Sequence, residues 1–195
     1  MSPGRTLTEG AVRILRSSTL PVEPSCPAER LSFRELYQKH FAFTWRTLRH
    51  LGVPEACLED AAQDLWVVVH RRYVDFEGRS DLNTWLFGIA VNIERNRRRM
   101  EGRRGQLVEL PPELRSESGD PVLEHEGNDA WRLVRHFVQS LDDTRRAVFV
   151  AALLEGLSAA ETAEATGLDL TTVYNRIRAL RRSFALWAEQ HRRGP

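Results

Sequence analysis

The most informative stretch of the sequence is residues 157–187, which read LSAAETAEATGLDLTTVYNRIRALRRSFALW. Ser158 and Glu161 have the spacing of a capping box, in which each side chain satisfies a backbone N–H at the start of a helix. Gly167 supplies a left-handed turn residue, and Asp169 can cap the helix that follows. Two helices joined by a tight turn are therefore predicted, which is the helix-turn-helix arrangement.

The second of these helices has an apolar side and a polar side. The apolar side recurs at spacings of four and three residues: Val173, Ile177, Leu180, Phe184 and Trp187. The opposite side follows the same spacing: Thr171, Asn175, Arg178 and Arg182. Hydroxyl, amide and guanidinium groups are the chemistries that read base edges and phosphates in the DNA major groove. This face predicts DNA binding, and the alternative is an ordinary solvated polar face.

The composition outside this motif excludes several classes of protein. The chain has 195 residues, of which 42% are hydrophobic and 28% charged, which is typical of a soluble globular protein. No apolar run approaches the roughly 20 residues of a membrane helix, and no signal-peptide pattern opens the chain. Cys26 and Cys57 are too few for a disulfide framework or a four-ligand zinc site. We therefore expect a cytoplasmic protein without a metal or a cofactor.

The net charge of +1 conceals an uneven distribution of charge. Residues 92–104 contain six arginines against two glutamates, and residues 171–193 contain six arginines against one glutamate. The intervening residues 105–127 carry six acidic side chains against Arg115 alone. Two basic segments joined by an acidic one are consistent with a chain that contacts phosphate at two places.

The periodicity along the chain predicts an all-α fold with two small helical domains, the second a helix-turn-helix. Residues 1–30 contain four prolines and no sustained period, so a disordered leader is predicted. Residues 31–104 contain three helical patterns, the third of which ends near Gly102. Residues 105–128 are acidic and proline-containing, so a flexible linker is predicted. Residues 129–195 are helical again and contain the helix-turn-helix.

Two stretches resemble the sigma-70 family of transcription initiation factors. Residues 58–99 read LEDAAQDLWVVVHRRYVDFEGRSDLNTWLFGIAVNIERNRRR and resemble the family's region 2, which binds core polymerase and reads the −10 element. Residues 154–182 read LEGLSAAETAEATGLDLTTVYNRIRALRR and resemble its region 4, which reads the −35 element. Two such domains with a short linker resemble the extracytoplasmic-function (ECF) group. The domains implied are region 2 at residues 31–104 and region 4 at residues 129–195.

The resemblance implies protein partners. An acidic edge on the second helix would bind the beta-prime clamp of core RNA polymerase through Asp60, Gln63 and Asp64. The beta flap is the second contact expected on the core enzyme. Taken alone, an acidic helix edge is usually a solvated face. The resemblance also implies an anti-sigma factor that holds the protein inactive until a signal releases it.

The resemblance further implies contacts with promoter DNA. Loop 76–84 and the start of the third helix would capture single-stranded bases of the −10 element, with Asn92 near a flipped base. Arg97 and Arg98 would support the backbone electrostatically. The candidate −10 residues are Arg79, Asn83, Asn92, Arg95 and Arg99. The candidate residues for the −35 duplex are Thr171, Thr172, Tyr174, Asn175, Arg176, Arg178, Arg181 and Arg182.

Two departures from the family pattern concern the promoter sequence. Many members carry Arg or Lys where this chain has Tyr174, and Arg where it has Ala179. The preferred −35 sequence therefore cannot be transferred from the family.

The sequence predicts an alternative sigma factor, and two other classes of protein are the alternatives. The first is a stand-alone helix-turn-helix regulator that binds an operator as a dimer. A gel-shift assay separates the two, because a sigma factor is expected to bind specifically only together with core polymerase. The second is an enzyme, against which the absence of a Walker loop, a dinucleotide glycine pattern and an H-E-x-x-H motif argues.

Overall fold

The structure is a computed structural model that describes residues 31–107 and 128–192. These residues are helical and contain no β-strand, which confirms the predicted all-α class. The α-helices in the described ranges are α1 (Phe33–His50), α2 (Leu58–Arg72), α3 (Leu82–Leu107), α4 (Asn128–Ser140), α5 (Asp143–Phe149), α6 (Ala159–Thr166) and α7 (Leu170–Arg192). The 3-10 turns are Glu55–Cys57 and Tyr73–Asp75, and a π-helical turn covers Val150–Leu154. The predicted leader, and residues 108–127 of the predicted linker, lie outside the described residues.

Helices α1, α2 and α3 pack around a shared apolar core. α1 begins at a capping box, because Ser32 Oγ accepts a hydrogen bond from the Glu35 N–H and Glu35 Oε2 accepts one from the Ser32 N–H. Burial of each large apolar side chain stabilises the domain by about 1.5–3 kcal/mol. Those fully buried in this core are Leu36, Leu48, Leu58, Leu65, Val69, Leu86 and Phe87.

Helix α3 is longer than the sequence predicts, since it continues past Gly102 to Leu107. Arg97 forms ion pairs with Glu94, three residues before it, and with Glu101, four residues after it. Pairs at these spacings stabilise a helix by about 0.2–0.5 kcal/mol each. The first residues of the predicted linker, 105–107, are therefore helical.

Helices α4 to α7 pack around a second set of apolar side chains. Arg146 lies inside this set and is only 4% exposed. Its guanidinium donates to the carbonyl oxygens of Val138, Gln139 and Leu141, so it satisfies backbone acceptors at the C-terminal end of α4. The buried apolar side chains around it include Val134, Phe137, Val148, Phe149, Val173 and Phe184.

The predicted helix-turn-helix is formed by α6 and α7. Ser158 and Glu161 make the capping box at the start of α6, and Gly167 ends α6 with a φ of 70°. Asp169 Oδ1 accepts a hydrogen bond from the Thr172 N–H at 2.8 Å, which caps the start of α7. The predicted helix-turn-helix is therefore confirmed, with the predicted capping and turn residues at its helix ends.

The two helical groups contact each other through α3 and α6. A Cβ atom built on Gly88 of α3 would lie 3.3 Å from the carbonyl oxygen of Ala165 in α6. This approach is tighter than most Cβ contacts, so the glycine permits the two helices to lie close together. The buried apolar residues of both groups form one continuous cluster.

Candidate nucleic-acid interface

The polar face of α7 is solvent-exposed, as its predicted role requires. Val173, Ile177 and Leu180 are buried against the rest of the domain. The exposed predicted side chains are Thr171, Tyr174, Asn175, Arg178, Arg181 and Arg182. Within the described ranges none of these three arginines forms an ion pair with a carboxylate. Their guanidinium groups are therefore available to an external anion.

Two of the predicted α7 residues lie at the edge of this face. Thr172 is half-buried, and its backbone N–H is used by the Asp169 cap. The Thr172 hydrogen bonds hold the pKa of the Asp169 carboxyl below its ordinary value, which keeps the cap charged. Arg176 is half-buried, and its Nη1 atom is inaccessible to solvent. Both side chains are less accessible than those of Asn175 and Arg178.

Four predicted −10 residues lie on α3, and the three beyond its first turn differ in exposure. Asn92 and Arg99 are exposed, whereas Arg95 is half-buried. Arg95 lines a small cleft with Leu51 and Ala147, between α3, the end of α1 and α5. Asn92 lies one helical turn after Gly88, so it is close to the contact between α3 and α6.

The arginines Arg97 and Arg98 are held by a carboxylate that the sequence analysis did not single out. Glu94 is only 4% exposed and accepts hydrogen bonds from both of them. Its Oε2 atom lies 2.7 Å from Arg97 Nε, and this hydrogen bond raises the pKa of Arg97. Arg98 Nη1 also lies 3.4 Å from Asp143 Oδ1 in α5. The i+3 and i+4 spacing from Glu94 was the available sequence signal.

Arg79, in the loop before α3, and Asn83, in the first turn of α3, lie in different environments. Arg79 is exposed and pairs with Glu77 at 2.8 Å. Asn83 is half-buried, and its Oδ1 atom lies 2.9 Å from Nδ1 of His40 in α1. This contact requires a proton on His40 Nδ1, and burial lowers the pKa of that imidazole. The Asn83 carbonyl oxygen therefore ties the start of α3 to α1.

The predicted acidic edge lies on the exposed side of α2. Asp60, Gln63 and Asp64 are all exposed, opposite the buried Leu58 and Leu65. The same ridge continues one turn further to Val67, whose side chain is 42% exposed. The sequence analysis did not include Val67, although its position seven residues after Asp60 places it on the same helical face.

A buried carboxylate joins the two helical groups. The Glu155 side chain is fully buried and accepts hydrogen bonds from Arg46 Nε and Nη2 at 3.2 and 2.9 Å. Its Oε1 atom lies 2.7 Å from His50 Nδ1. Burial alone raises the pKa of Glu155, but the hydrogen bonds and charges of His50 and Arg46 together hold it below its ordinary value. This site could not be predicted from the sequence, because Glu155 is more than 100 positions from Arg46 and His50.

The described residues were expected to hold neither a membrane span nor a metal site, and the structure gives the following. No helix in residues 31–107 or 128–192 is long and apolar enough to cross a membrane. The same ranges contain no group of three His, Cys, Asp or Glu side chains arranged to hold a metal ion.

Comparisons with known proteins agree with the resemblance found in the sequence. Residues 131–183 match the family model for sigma-70, region 4. The chain is 26% identical over 153 residues to the RNA polymerase sigma factor NccH of Alcaligenes xylosoxydans xylosoxydans, covering 76% of this chain and 82% of that one. It is 27% identical over 168 residues to the ECF RNA polymerase sigma factor SigX of Bacillus subtilis, covering 82% and 87%.

The fold is similar to that of a solved sigma factor. The match is RpoE from Bartonella quintana in complex with the anti-sigma factor NepR, with a TM-score of 0.65 and 19% identity. It covers 80% of this chain and 96% of that one. This likeness shows that the helical architecture described above is one that a sigma factor adopts.

Proposed function

We propose that this chain is an alternative sigma factor of the sigma-70 family, because residues 131–183 match the model for region 4 and similar proteins include ECF sigma factors. It binds core RNA polymerase, directs it to the −35 and −10 elements and helps to melt the −10 element. It is a specificity subunit that acts in the cytoplasm, not an enzyme. The observation that carries this proposal is the exposed face of α7, within the segment that matches region 4.

Recognition of the −35 duplex is assigned to α7. In a helix-turn-helix the second helix enters the major groove, and its N-terminal residues contact base edges. Asn175 and Arg178 project from the middle of the exposed face and are placed to hydrogen-bond to bases. Arg181 and Arg182 lie about one turn further on and are better placed to contact phosphate.

Capture of the −10 strand is assigned to α3. Extruding a base from a duplex costs a few kcal/mol, which contacts to the extruded base must offset. The exposed amide of Asn92 offers both a donor and an acceptor for such a base. Arg99, exposed on the same helix, supplies positive charge for the backbone, with Arg95 as a partly covered second contributor.

The two domains must separate to occupy one promoter. By their numbering, the −35 and −10 elements lie about 25 base pairs apart, or about 85 Å at 3.4 Å per base pair. In the structure α3 and α6 are in contact at Gly88 and Ala165. Twenty residues lie between Leu107 and Asn128, and such a chain reaches about 66–72 Å when fully extended. With the dimensions of the domains added, this reach is sufficient once the contact opens.

Binding of core polymerase is assigned to the exposed ridge of α2. Asp60, Gln63 and Asp64 present acidic and amide groups, and Val67 adds an apolar contact at the end of the ridge. Charged groups complementary across an interface accelerate association and fix its register. The second domain would meet the beta flap.

We also infer that an anti-sigma factor holds the protein until a signal releases it. The support is the fold shared with RpoE of Bartonella quintana, which was solved with the anti-sigma factor NepR. A protein encoded beside this chain that co-purifies with it and blocks its binding to core polymerase would be the expected partner. Binding to core polymerase that every such protein leaves unchanged would contradict this inference.

The deciding experiment is in vitro transcription with core polymerase and a promoter selected by the reconstituted holoenzyme. We expect specific initiation by the holoenzyme and weak DNA binding by the free protein. The variant Asp60→Lys/Asp64→Lys should lose core affinity by several kcal/mol at unchanged helicity, because contacts that attract would become repulsive. The control is Glu189→Lys, which reverses an exposed carboxylate on the last turns of α7.

Two results would contradict parts of this proposal. If the double variant binds core polymerase as the parent does, the α2 ridge is not part of the interface. If the free protein binds an operator tightly and polymerase adds nothing, the chain is a stand-alone helix-turn-helix regulator.

A further inference from the structure

The recognition helix α7 exposes two apolar side chains beside its polar face. Leu170 is 45% exposed and Tyr174 is 61% exposed, and they lie one helical turn apart at the start of the helix. The Tyr174 ring stacks on no other aromatic ring in the part of the chain that the structure describes. Apolar surface of this size at the DNA-contacting end of a recognition helix points to an apolar feature of its ligand.

The DNA major groove offers one such feature. Each base pair presents hydrogen-bond donors and acceptors in that groove, and thymine adds its C5 methyl group. Residues in the first turns of a recognition helix are those that reach base edges. A side chain that packs on this methyl group distinguishes thymine from the other three natural bases.

We propose that Tyr174, flanked by Leu170, reads a thymine of the −35 element by packing on its C5 methyl group. This inference rests on the proposed function and adds a base preference to it. Arg178 lies four residues after Tyr174, a rise of about 6 Å along the helix axis. Because neighbouring base pairs are about 3.4 Å apart, this thymine lies within about two base pairs of the base that Arg178 contacts.

The packing uses the Tyr174 ring and does not need its hydroxyl. The competing role for this residue is a hydrogen bond from the phenol to a phosphate or to a base edge. The variant Tyr174→Phe distinguishes the two roles, because phenylalanine keeps the ring and lacks the hydroxyl. Leu186 provides a matched control, because it is 57% exposed on the same helix but lies three turns beyond Tyr174.

The test measures binding of holoenzyme to promoter duplexes from which a single thymine methyl group has been removed. A −35 element is first selected from a randomised library, and each thymine in it is then replaced by deoxyuridine, which pairs alike but lacks the methyl group. Affinity is measured for the parent, Tyr174→Phe, Tyr174→Ala and Leu186→Ala, with helicity checked for each. We expect one deoxyuridine position to weaken the parent about fourfold, equivalent to about 0.8 kcal/mol for one buried methyl group.

The same fourfold loss is expected for Tyr174→Phe and Leu186→Ala, whereas Tyr174→Ala should bind thymine and deoxyuridine duplexes equally. The inference is overturned if the selected element contains no preferred thymine, or if no deoxyuridine weakens the parent. It is also overturned if Tyr174→Ala keeps the fourfold penalty, or if Tyr174→Phe behaves like Tyr174→Ala. A parent holoenzyme that selects no −35 sequence at all would instead contradict the proposed function.

Discussion

Helices α3 and α7 are both rich in arginine, but their arginines differ in whether they have carboxylate partners. On α3, Arg97 and Arg98 are hydrogen-bonded to the buried carboxylate of Glu94. On α7, Arg178 and Arg182 are exposed and have no carboxylate partner within the described residues. The count of basic residues therefore does not measure how much positive charge a helix can offer to DNA.

The difference follows from where the carboxylates lie. Glu94 precedes Arg97 and Arg98 by three and four residues, which places all three side chains on one side of α3. Residues 171–188 of α7 contain no acidic side chain, so its arginines have no neighbour of that kind on their own helix. We interpret Arg97 and Arg98 as structural side chains and the exposed arginines of α7 as DNA contacts.

The largest effect is expected from removing the charge of Glu94. The variant Glu94→Gln removes the buried charge that Arg97 and Arg98 share and leaves them only their more exposed partners, Glu101 and Asp143. Breaking a buried pair typically costs about 3 kcal/mol. Urea unfolding at neutral pH measures this loss. The matched control is Glu101→Gln, at the exposed end of the same network, which should change stability by less than about 0.5 kcal/mol. Equal losses for the two variants would contradict a structural role that is particular to Glu94.

A second effect is expected at the contact between the domains. Glu155→Gln removes the buried charge that pairs with Arg46 and His50, and we expect a loss of about 2 kcal/mol, as for a hydrogen bond to a charged group. A fluorescence pair attached to the two domains should also report a larger separation. The control is Glu55→Gln, which removes an exposed partner of Arg49 at 3.8 Å within the first domain.

The same site has a defined pH dependence. The pKa of Glu155 is held below its ordinary value in the folded protein, so its ionised form stabilises the fold. This contribution is present above the unfolded pKa of about 4.3 and is lost as the pH falls through the lower folded value. We expect the parent to lose stability in this acid range by more than Glu155→Gln does. Parallel stability curves for the two proteins between pH 6 and pH 3 would contradict the pairing.

The sequence predicted the helix-turn-helix closely because its signals are local. The capping box at Ser158, the turn at Gly167 and the cap at Asp169 each act within four residues. The exposed face of α7 followed from helical periodicity alone. Thr172 and Arg176 lie at its edge, where the period of 3.6 residues does not separate buried from exposed positions sharply.

The features that the sequence did not predict depend on contacts between segments that are distant in the chain. Asn83 Oδ1 is hydrogen-bonded to His40, 43 positions away, so its sequence context could not indicate this contact. The burial of Glu94 and Glu155 likewise depends on how helices pack against one another. A carboxylate in a sequence predicts a solvated side chain by default, and the packing that overrides this default is tertiary.

A fourth prediction concerns base reading on α7. Arg178→Ala should cost about 1.5 kcal/mol in holoenzyme affinity for the preferred −35 element and should relax the preference at one base position. Binding to a library of −35 variants measures both quantities. Asn175→Ala serves as a comparison, because it should relax a different position. A uniform loss over the library for Arg178→Ala would assign that residue to phosphate contact instead.

The smallest effect is expected in the salt dependence of DNA binding. This measurement also tests most directly whether the arginines of α3 and α7 differ. Each guanidinium that neutralises a phosphate releases counterions, so its removal lowers the slope of log affinity against log salt by about 0.9. Arg182→Ala should show this change equally for all −35 sequences, because a phosphate contact carries no base preference. Arg97→Ala should leave the slope unchanged, since its guanidinium is already neutralised by Glu94 and Glu101. If Arg97→Ala lowers the slope as Arg182→Ala does, with helicity intact, then Arg97 exchanges its carboxylates for phosphate on binding and α3 offers the same kind of charge as α7.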